Sequence, residues 1–344
     1  MNIATVLFND DYFFAKKIYQ NSKRYNCKTI AIILGSYELN GCPISFDKEF
    51  KTNKLLEIGY DLVIEIPSII YLSNVNNLTN YIIYLINNLS IDKIYLPSEF
   101  NSLKSFKNFH NKYSFYYPSY DKVFHYYLDK HDFIESKIKT KMYINRFYQS
   151  RVYDYLNLNL IQMLRKNKIK FKLVKSNYKI TISKEINDSY FNIIKLFISL
   201  TPKEKILDND QLDINTINML KNNLYKINEF SELEKLSAPK NYQYSTFFRS
   251  IILSLINYNK ITFIDIDSCI IKYIGIGKNG SKIIREFKKN NKEKAHLLIS
   301  KINPSNSLIE NYQLKLELLY SYLCNKYNSN FDLYKFPIIL KEIA

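Results

Sequence analysis

The apolar run "IATVLF", from Ile3 to Phe8, ends in Asn9, Asp10 and Asp11. Two adjacent carboxylates and a side-chain amide at a strand end form a donor set suited to a hard cation such as Mg²⁺, and through it to a nucleotide phosphate. The same residues suit a helix N-cap, because Asp10 or Asp11 stands just before the helical pattern "YFFAKKIYQ". There a carboxylate accepts orphan amides and faces the positive end of the helix dipole. The cap is the favoured reading. Far downstream, Gly275, Gly277 and Gly280 spell G-x-G-x-x-G between "IIKYI" and "SKIIREF". A dinucleotide fingerprint of that form needs a carboxylate about twenty residues on to hold a ribose. "HLLISKINP" fills that stretch without one, so the glycines serve a turn. The cations beside them carry more meaning: Lys278 lies in the turn, and Lys282, Arg285 and Lys289 share one helical face by their spacing. Backbone amides at that helix start can receive a phosphate. A third cluster, "SKIKTKMYINRFYQSR", sets Lys137, Lys139, Lys141, Arg146 and Arg151 among Tyr143, Phe147 and Tyr148. That mixture of phosphate partners and stacking surfaces suits RNA. The alternative is a helix with core aromatics whose long cations snorkel to water.

The charge is unevenly placed. Residues 1 to 100 hold 9 Lys and Arg against 10 Asp and Glu, leaving 40 against 22 for residues 101 to 344 and essentially all of the net +17. Heavy use of Asn, Ile, Lys and Tyr points to an AT-rich coding bias, but such a bias acts on the whole chain. The asymmetry therefore implies a neutral N-terminal region joined to a basic one that meets a polyanion. Cys27, Cys42, Cys269 and Cys324 form no C-x-x-C, and four histidines offer no zinc spacing, so neither disulfides nor a structural metal is expected. No apolar run approaches the ~18 residues that span a bilayer. The N-terminal "MNIATVLFNDDYFF" has acids where a signal peptide carries cations, which places the chain in the cytoplasm and off the membrane.

The elements that must position these groups follow from periodicity. "IATVLF", "KTIAIILG", "DLVIEIP" and "DKIYLPSE" read as continuous apolar strands. They alternate with the helical patterns "FFAKKIYQNSKRY", "DKEFKTNKLLEIG", capped by Asp47 and closed by Gly59, and "NLTNYIIYLINNL". Such strands, separated by helices, specify an α/β fold with a parallel sheet covered on both faces. Beyond Phe100 the patterns turn helical, with no glycine between Gly59 and Gly275. "KIKFKLVKSNYKITI" is the exception, an alternating strand that can add an edge to the first sheet. Two domains are expected, residues 1–178 α/β and residues 179–344 basic and mostly helical, the latter including "YSTFFRSIILSLINYN" and "SLIENYQLKLELLYSYLCNKY".

In an open parallel sheet the ligand crevice lies beyond the carboxyl ends of the strands. The loops there are "FNDDYFF", "LGSYELNGCPISFDK", "EIPSIIYLSN" and "LPSEF". In this order they resemble the tRNA(Met) cytidine acetate ligase family, nucleotidyltransferase-like enzymes that activate acetate with ATP and acetylate the wobble cytidine of elongator tRNA(Met). Gly35, Gly41 and Pro43 fall where that family carries Ser-Gly-Asn-Phe and Arg-Gly-Glu-Pro, Asp47-Lys48 match its Asp-Lys pair, and Ser98-Glu99 match the end of its Phe-Gly-Ser-Glu. "IIKYIGIGKNGSKII" looks like its "YIRVLGF" strand and following turn, with Lys272 at the arginine position, and Arg249 in "FFRSIILSLI" fits a basic helix upstream.

The resemblance implies a Rossmann-like nucleotidyltransferase sheet. It also implies ATP with Mg²⁺ as cofactors, held by Asn9, Asp11, Gly35, Asp47, Lys48, Ser98 and Glu99, and elongator tRNA(Met) rather than DNA as partner. Two departures bear on it. The family's His-x-Gly-His motif is matched by Tyr12-Phe13-Phe14-Ala15, and no histidine precedes His110. Pro97 replaces the glycine before Ser98, and the Asn-Asn-Ile-Leu-Gly segment and a later Lys-Arg pair are poorly met by "QSRVYDYLNLN" and Lys175-Ser176. No catalytic residue is assigned. Loss of imidazoles that stabilise phosphate charge costs several kcal/mol of barrier, on the order of a hundredfold each. The competing expectation is thus a relative that binds tRNA or a ribonucleoprotein without chemistry.

Overall fold

A computed structural model describes residues 1–8, 11–23, 25–39, 41–44, 48–98, 103–105, 157, 159–176, 184–202, 218, 221–228, 232, 244–258, 264–302, 308–323 and 337–340. Four apolar runs become the parallel strands β1 (Asn2–Leu7), β2 (Lys28–Leu34), β3 (Leu62–Ile66) and β4 (Lys93–Ser98). The alternating segment becomes β5 (Lys170–Lys175), which pairs parallel to β4 at the sheet edge. From the C-terminal half come β6 (Ile271–Ile276), antiparallel to β3, and the short β7 (Leu298–Ile299) and β8 (Ile338–Ile339), both parallel to β6. The described strand order is β5-β4-β1-β2-β3-β6-β7, with β8 also on β6. One sheet therefore runs through both halves of the chain and crosses the expected boundary at residue 178.

Successive side chains of a strand point to opposite faces, and here each face is covered. Ala4, Val6, Ile30, Ile32, Leu62 and Ile64 enter one core, and Ile3, Leu7, Ala31, Ile33 and Val63 the other. The second is closed by α1 (Tyr12–Lys23) and α2 (Lys48–Ile58), through Phe14, Ala15, Ile18, Leu55 and Leu56. The first is closed by α3 (Ser68–Ser73), α4 (Val75–Asn88), α5 (Lys184–Leu200), α6 (Tyr244–Leu255), α7 (Gly280–Asn290) and α8 (Leu308–Leu323). Each fully buried aliphatic side chain stabilises the fold by about 1.5–3 kcal/mol.

Hydroxyl groups tie the halves together. Tyr81 and Tyr84 on α4 donate to the carbonyls of Ile270 (2.6 Å) and Cys269 (3.0 Å) just before β6. Tyr37 donates to Leu316 O on α8, and Tyr320 on α8 to Ile44 O, each at 2.9 Å. The loop after β2 is thus clamped to a helix nearly three hundred residues away in sequence. Among the described residues no helix is long and apolar enough to cross a membrane.

Candidate functional site

The chain runs from β1 to β3 in one direction across the sheet and places β4 and β5 on the other side of β1, so the order reverses between β1 and β4. A crevice opens at such a reversal. Asp11 stands there as the N-cap of α1: its Oδ1 accepts from Phe14 N at 2.8 Å and its Oδ2 from the Ser176 hydroxyl at 2.7 Å. The cap reading holds for Asp11, and a capping carboxylate with both oxygens engaged is poorly placed to hold Mg²⁺ as well. Asn9, Asp10, Asp47 and Glu99 lie outside the described residues. Ser98 ends β4, nearly buried, and its carbonyl accepts from Ser176 N at 3.0 Å.

Asn157 adds a group that the sequence pattern did not single out. It is fully buried and donates through Nδ2 to Pro97 O at 2.7 Å, while its Oδ1 has no hydrogen-bond partner. A buried acceptor left unmade costs about 1–3 kcal/mol. The only signal in the sequence was its place in "YLNLN", shortly before the β5 segment.

Gly35, Lys48 and Lys272 come together, but in the interior. Lys48 Nζ lies 2.7 Å from Glu65 Oε1 and also pairs with Glu317 on α8, and Lys272 Nζ lies 2.8 Å from Glu65 Oε2. Glu65 and Lys272 are directly opposed in the β3–β6 register. Ser36 donates to Glu317 Oε2 at 2.8 Å, Gln313 donates to Oε1, and Gln313 Oε1 accepts from Ile69 N at 3.1 Å. Two ammonium groups thus balance two carboxylates, with neutral donors filling in around them, as a buried network requires. A Cβ on Gly35 would stand 2.4 Å from Ser68 Oγ and 3.0 Å from Glu65 Oε1, which explains the glycine by close packing. Lys48 and Lys272 are both at most 2% exposed and paired with carboxylates inside the fold.

Arg249 is engaged within the fold in the same way. It is buried on α6 and donates through Nε (3.1 Å) and Nη2 (3.0 Å) to Leu72 O near the carboxyl end of α3. A cation there complements the helix dipole. Burial lowers its guanidinium to about 10, still charged at neutral pH.

The glycine turn packs against protein backbone. Gly277 N donates to Asp61 O at 2.8 Å, and both Asn279 N and its Nδ2 donate to Asp61 Oδ1 at 3.0 Å. Asp61 Oδ2 accepts in turn from Thr29 N at 2.8 Å. A Cβ on Gly277 would lie 2.2 Å from Tyr60 O, and one on Gly280 2.2 Å from Asp61 O. The turn leaves Lys278 exposed, and the helix that follows leaves Lys282, Arg285 and Lys289 exposed. Lys137, Lys139, Lys141, Arg146 and Arg151 lie outside the described residues.

Residues 15–144 match the family described as HIGH Nucleotidyl Transferase. The tRNA(Met) cytidine acetate ligase of Staphylococcus haemolyticus is 22% identical over 91% of this chain and 91% of its own length. That of Clostridium perfringens is 24% identical over 99% of this chain and 100% of its own. Over nearly its whole length the chain is similar to tRNA(Met) cytidine acetate ligases. Its fold is shared with Thermotoga maritima TmcAL, at a TM-score of 0.66 and 14% identity for the apo form and 0.67 and 15% for the form bound with alpha-thio ATP. Each comparison covers 98% of this chain and 99% of the other.

The second half of the segment that matches the His-x-Gly-His motif is built into the core. Phe14 and Ala15, at the last two positions of the segment matching His-x-Gly-His, are packed into the core under α1, at 1% and 0% exposure. Ala15 O accepts from the buried Tyr60 hydroxyl at 3.0 Å. Neither side chain offers charge to a phosphate. Among the described residues, no group of three or more His, Cys, Asp or Glu is placed to hold a metal. Asn157 thus leaves a buried acceptor against the end of β4, and the segment matching His-x-Gly-His carries no imidazole.

Proposed function

We propose that this chain binds ATP in the crevice between the ends of β1 and β4 and acetylates tRNA, with the wobble cytidine of elongator tRNA(Met) as its target, in the cytoplasm. The observation that carries the nucleotide half is the buried, unpartnered Oδ1 of Asn157 against the end of β4, the strand that borders the order reversal. ATP, entering with Mg²⁺ on its phosphates, supplies the leaving group: acetate oxygen bonds to the α-phosphorus as pyrophosphate departs, and cytidine N4 then takes the acetyl group as AMP departs. The chain's own contribution is positional. Asn157 accepts a donor from the nucleotide, and Asp11, capping α1 and gripping Ser176, keeps the ends of β1 and β5 in register around it.

A second reading, tRNA binding without chemistry, is favoured by the core placement of Phe14 and Ala15 where imidazoles would stand. The test is to incubate the protein with ATP, Mg²⁺, labelled acetate and tRNA and to look for acetylcytidine, with ATP affinity measured by calorimetry. Acetylcytidine is expected, and Asn157→Ala is expected to weaken ATP by about five- to tenfold, one hydrogen bond's worth. Absence of both ATP binding and acetyl transfer, with tRNA still bound, overturns the first reading in favour of the second.

A further inference from the structure

The basic face of α7 lies at the end of the sheet opposite the crevice. Because β6 runs antiparallel to β3, with Ile276 opposite Leu62, α7 starts where β2 and β3 begin. Its contacts remain there: Asn279 on Asp61, Glu286 on Lys28 at the start of β2, and Asn291 on Asn88 O at the end of α4, at 3.2 Å. Six-residue strands such as β1 and β4 rise ~3.3 Å per residue, so roughly 20 Å of sheet separates this face from the crevice.

Lys278, Lys282, Arg285, Lys288, Lys289 and Lys292 are all exposed on or beside this helix. The single carboxylate on α7, Glu286, is engaged by Lys28. Lys278 and Lys282 stand at the unfavourable positive end of the dipole and Lys288 and Lys289 at its favourable negative end, while Lys282, Arg285 and Lys289 repel one another at three- and four-residue spacing. A solvated face gains nothing from that repulsion, whereas a bound polyanion removes it and releases counterions. The helix's one aromatic, Phe287, is buried in the core, so the face offers charge without stacking and suits phosphates rather than bases.

We propose that this face of α7 holds the backbone of the tRNA body, about 20 Å from the base presented to the crevice; this rests on the tRNA-directed reading above. The partner it fits is a folded RNA longer than the sheet is deep. An anticodon stem-loop occupying the crevice alone does not engage it.

The test compares wild type with the triple variant Lys282→Gln, Arg285→Gln, Lys289→Gln, measuring affinity for full-length tRNA and for the isolated anticodon stem-loop across a salt series. ATP affinity and thermal midpoint serve as controls of folding. The variant is expected to weaken full-length tRNA by about tenfold or more and to flatten its log–log salt slope by about two to three, and to leave the stem-loop unaffected. Unchanged binding of full-length tRNA overturns the inference while leaving the proposed function standing. Equal loss for the stem-loop also overturns it, because the face then reads the reacting end. If the expected split appears in a protein that transfers no acetyl group, the inference stands and the acetylation reading fails. A wild-type protein that binds no RNA overturns both.

Discussion

At the scale of single residues, the most consequential group is Glu65. Its two oxygens are shared between Lys48 and Lys272, each side chain almost wholly out of water. Removing one member leaves an uncompensated charge whose desolvation is no longer offset. Lys272→Met is expected to destabilise the protein by about 3–5 kcal/mol, read as a lower urea midpoint, whereas Glu65→Gln combined with Lys272→Met costs less than the sum of the single changes. Additive costs would mean that the pair does not interact as its geometry indicates. Asp11, Gly35, Lys48, Arg249 and Lys272 share a lesson: residue types that suit phosphate contact can instead be spent on a cap, a close approach, or a buried ion pair.

At the scale of elements, the junction from β6 to α7 is decisive. Asp61, between α2 and β3, accepts from Thr29, Gly277 and Asn279, fastening the end of β6 to the starts of β2 and β3. Gly280→Ala would set a methyl 2.2 Å from Asp61 O, a backbone atom that cannot swing aside as a flexible side chain can. The expected cost is about 1–3 kcal/mol, the usual range for overpacking. Hydrogen exchange should show faster exchange at Asn279 and through the first turn of α7, while the amides of β1 and β2 stay protected. Uniform loss of protection would place the strain elsewhere.

For the whole molecule, the sheet and the buried network make the two halves interdependent. A fragment of residues 1–178 would expose the β3 edge and leave Lys48 and Glu65 without Glu317 and Lys272. It is expected to aggregate or to lack the near-ultraviolet dichroism of packed aromatics; a cooperative unfolding transition would show instead that the N-terminal half is autonomous. Alkaline pH tests the interior as a unit. Burial raises the hydroxyls of Tyr60, Tyr71, Tyr81, Tyr84 and Tyr190 above their usual 10.0, and raises the Cys269 thiol from 9.0 to about 12. Between those limits the unfolded chain has lost protons that the folded one keeps, so stability is intact below about pH 9 and falls as pH rises. The urea midpoint should hold from pH 7 to about 9 and then drop, with tyrosinate absorbance appearing together with unfolding. Tyrosinate appearing before unfolding would mean that these hydroxyls are reached by water in the native state.

The α/β class, the four parallel strands, the edge strand β5 and the helical patterns of α1, α4, α6 and α8 were legible in the chain alone, because continuous apolar runs and helical spacing are local properties. The sequence also excluded a dinucleotide role for the G-x-G-x-x-G turn, from the missing carboxylate downstream. The tertiary structure alone decided which cations are buried and which are exposed, since burial depends on residues far away in the chain: Lys48 meets Glu317, Lys272 meets Glu65, and Arg249 meets Leu72. Asn157 was missed for the same reason, its one free acceptor being visible only once Pro97 is folded against it. The antiparallel pairing of β6 with β3 was equally nonlocal, and it is this pairing that carries the basic helix to the end of the sheet away from the crevice.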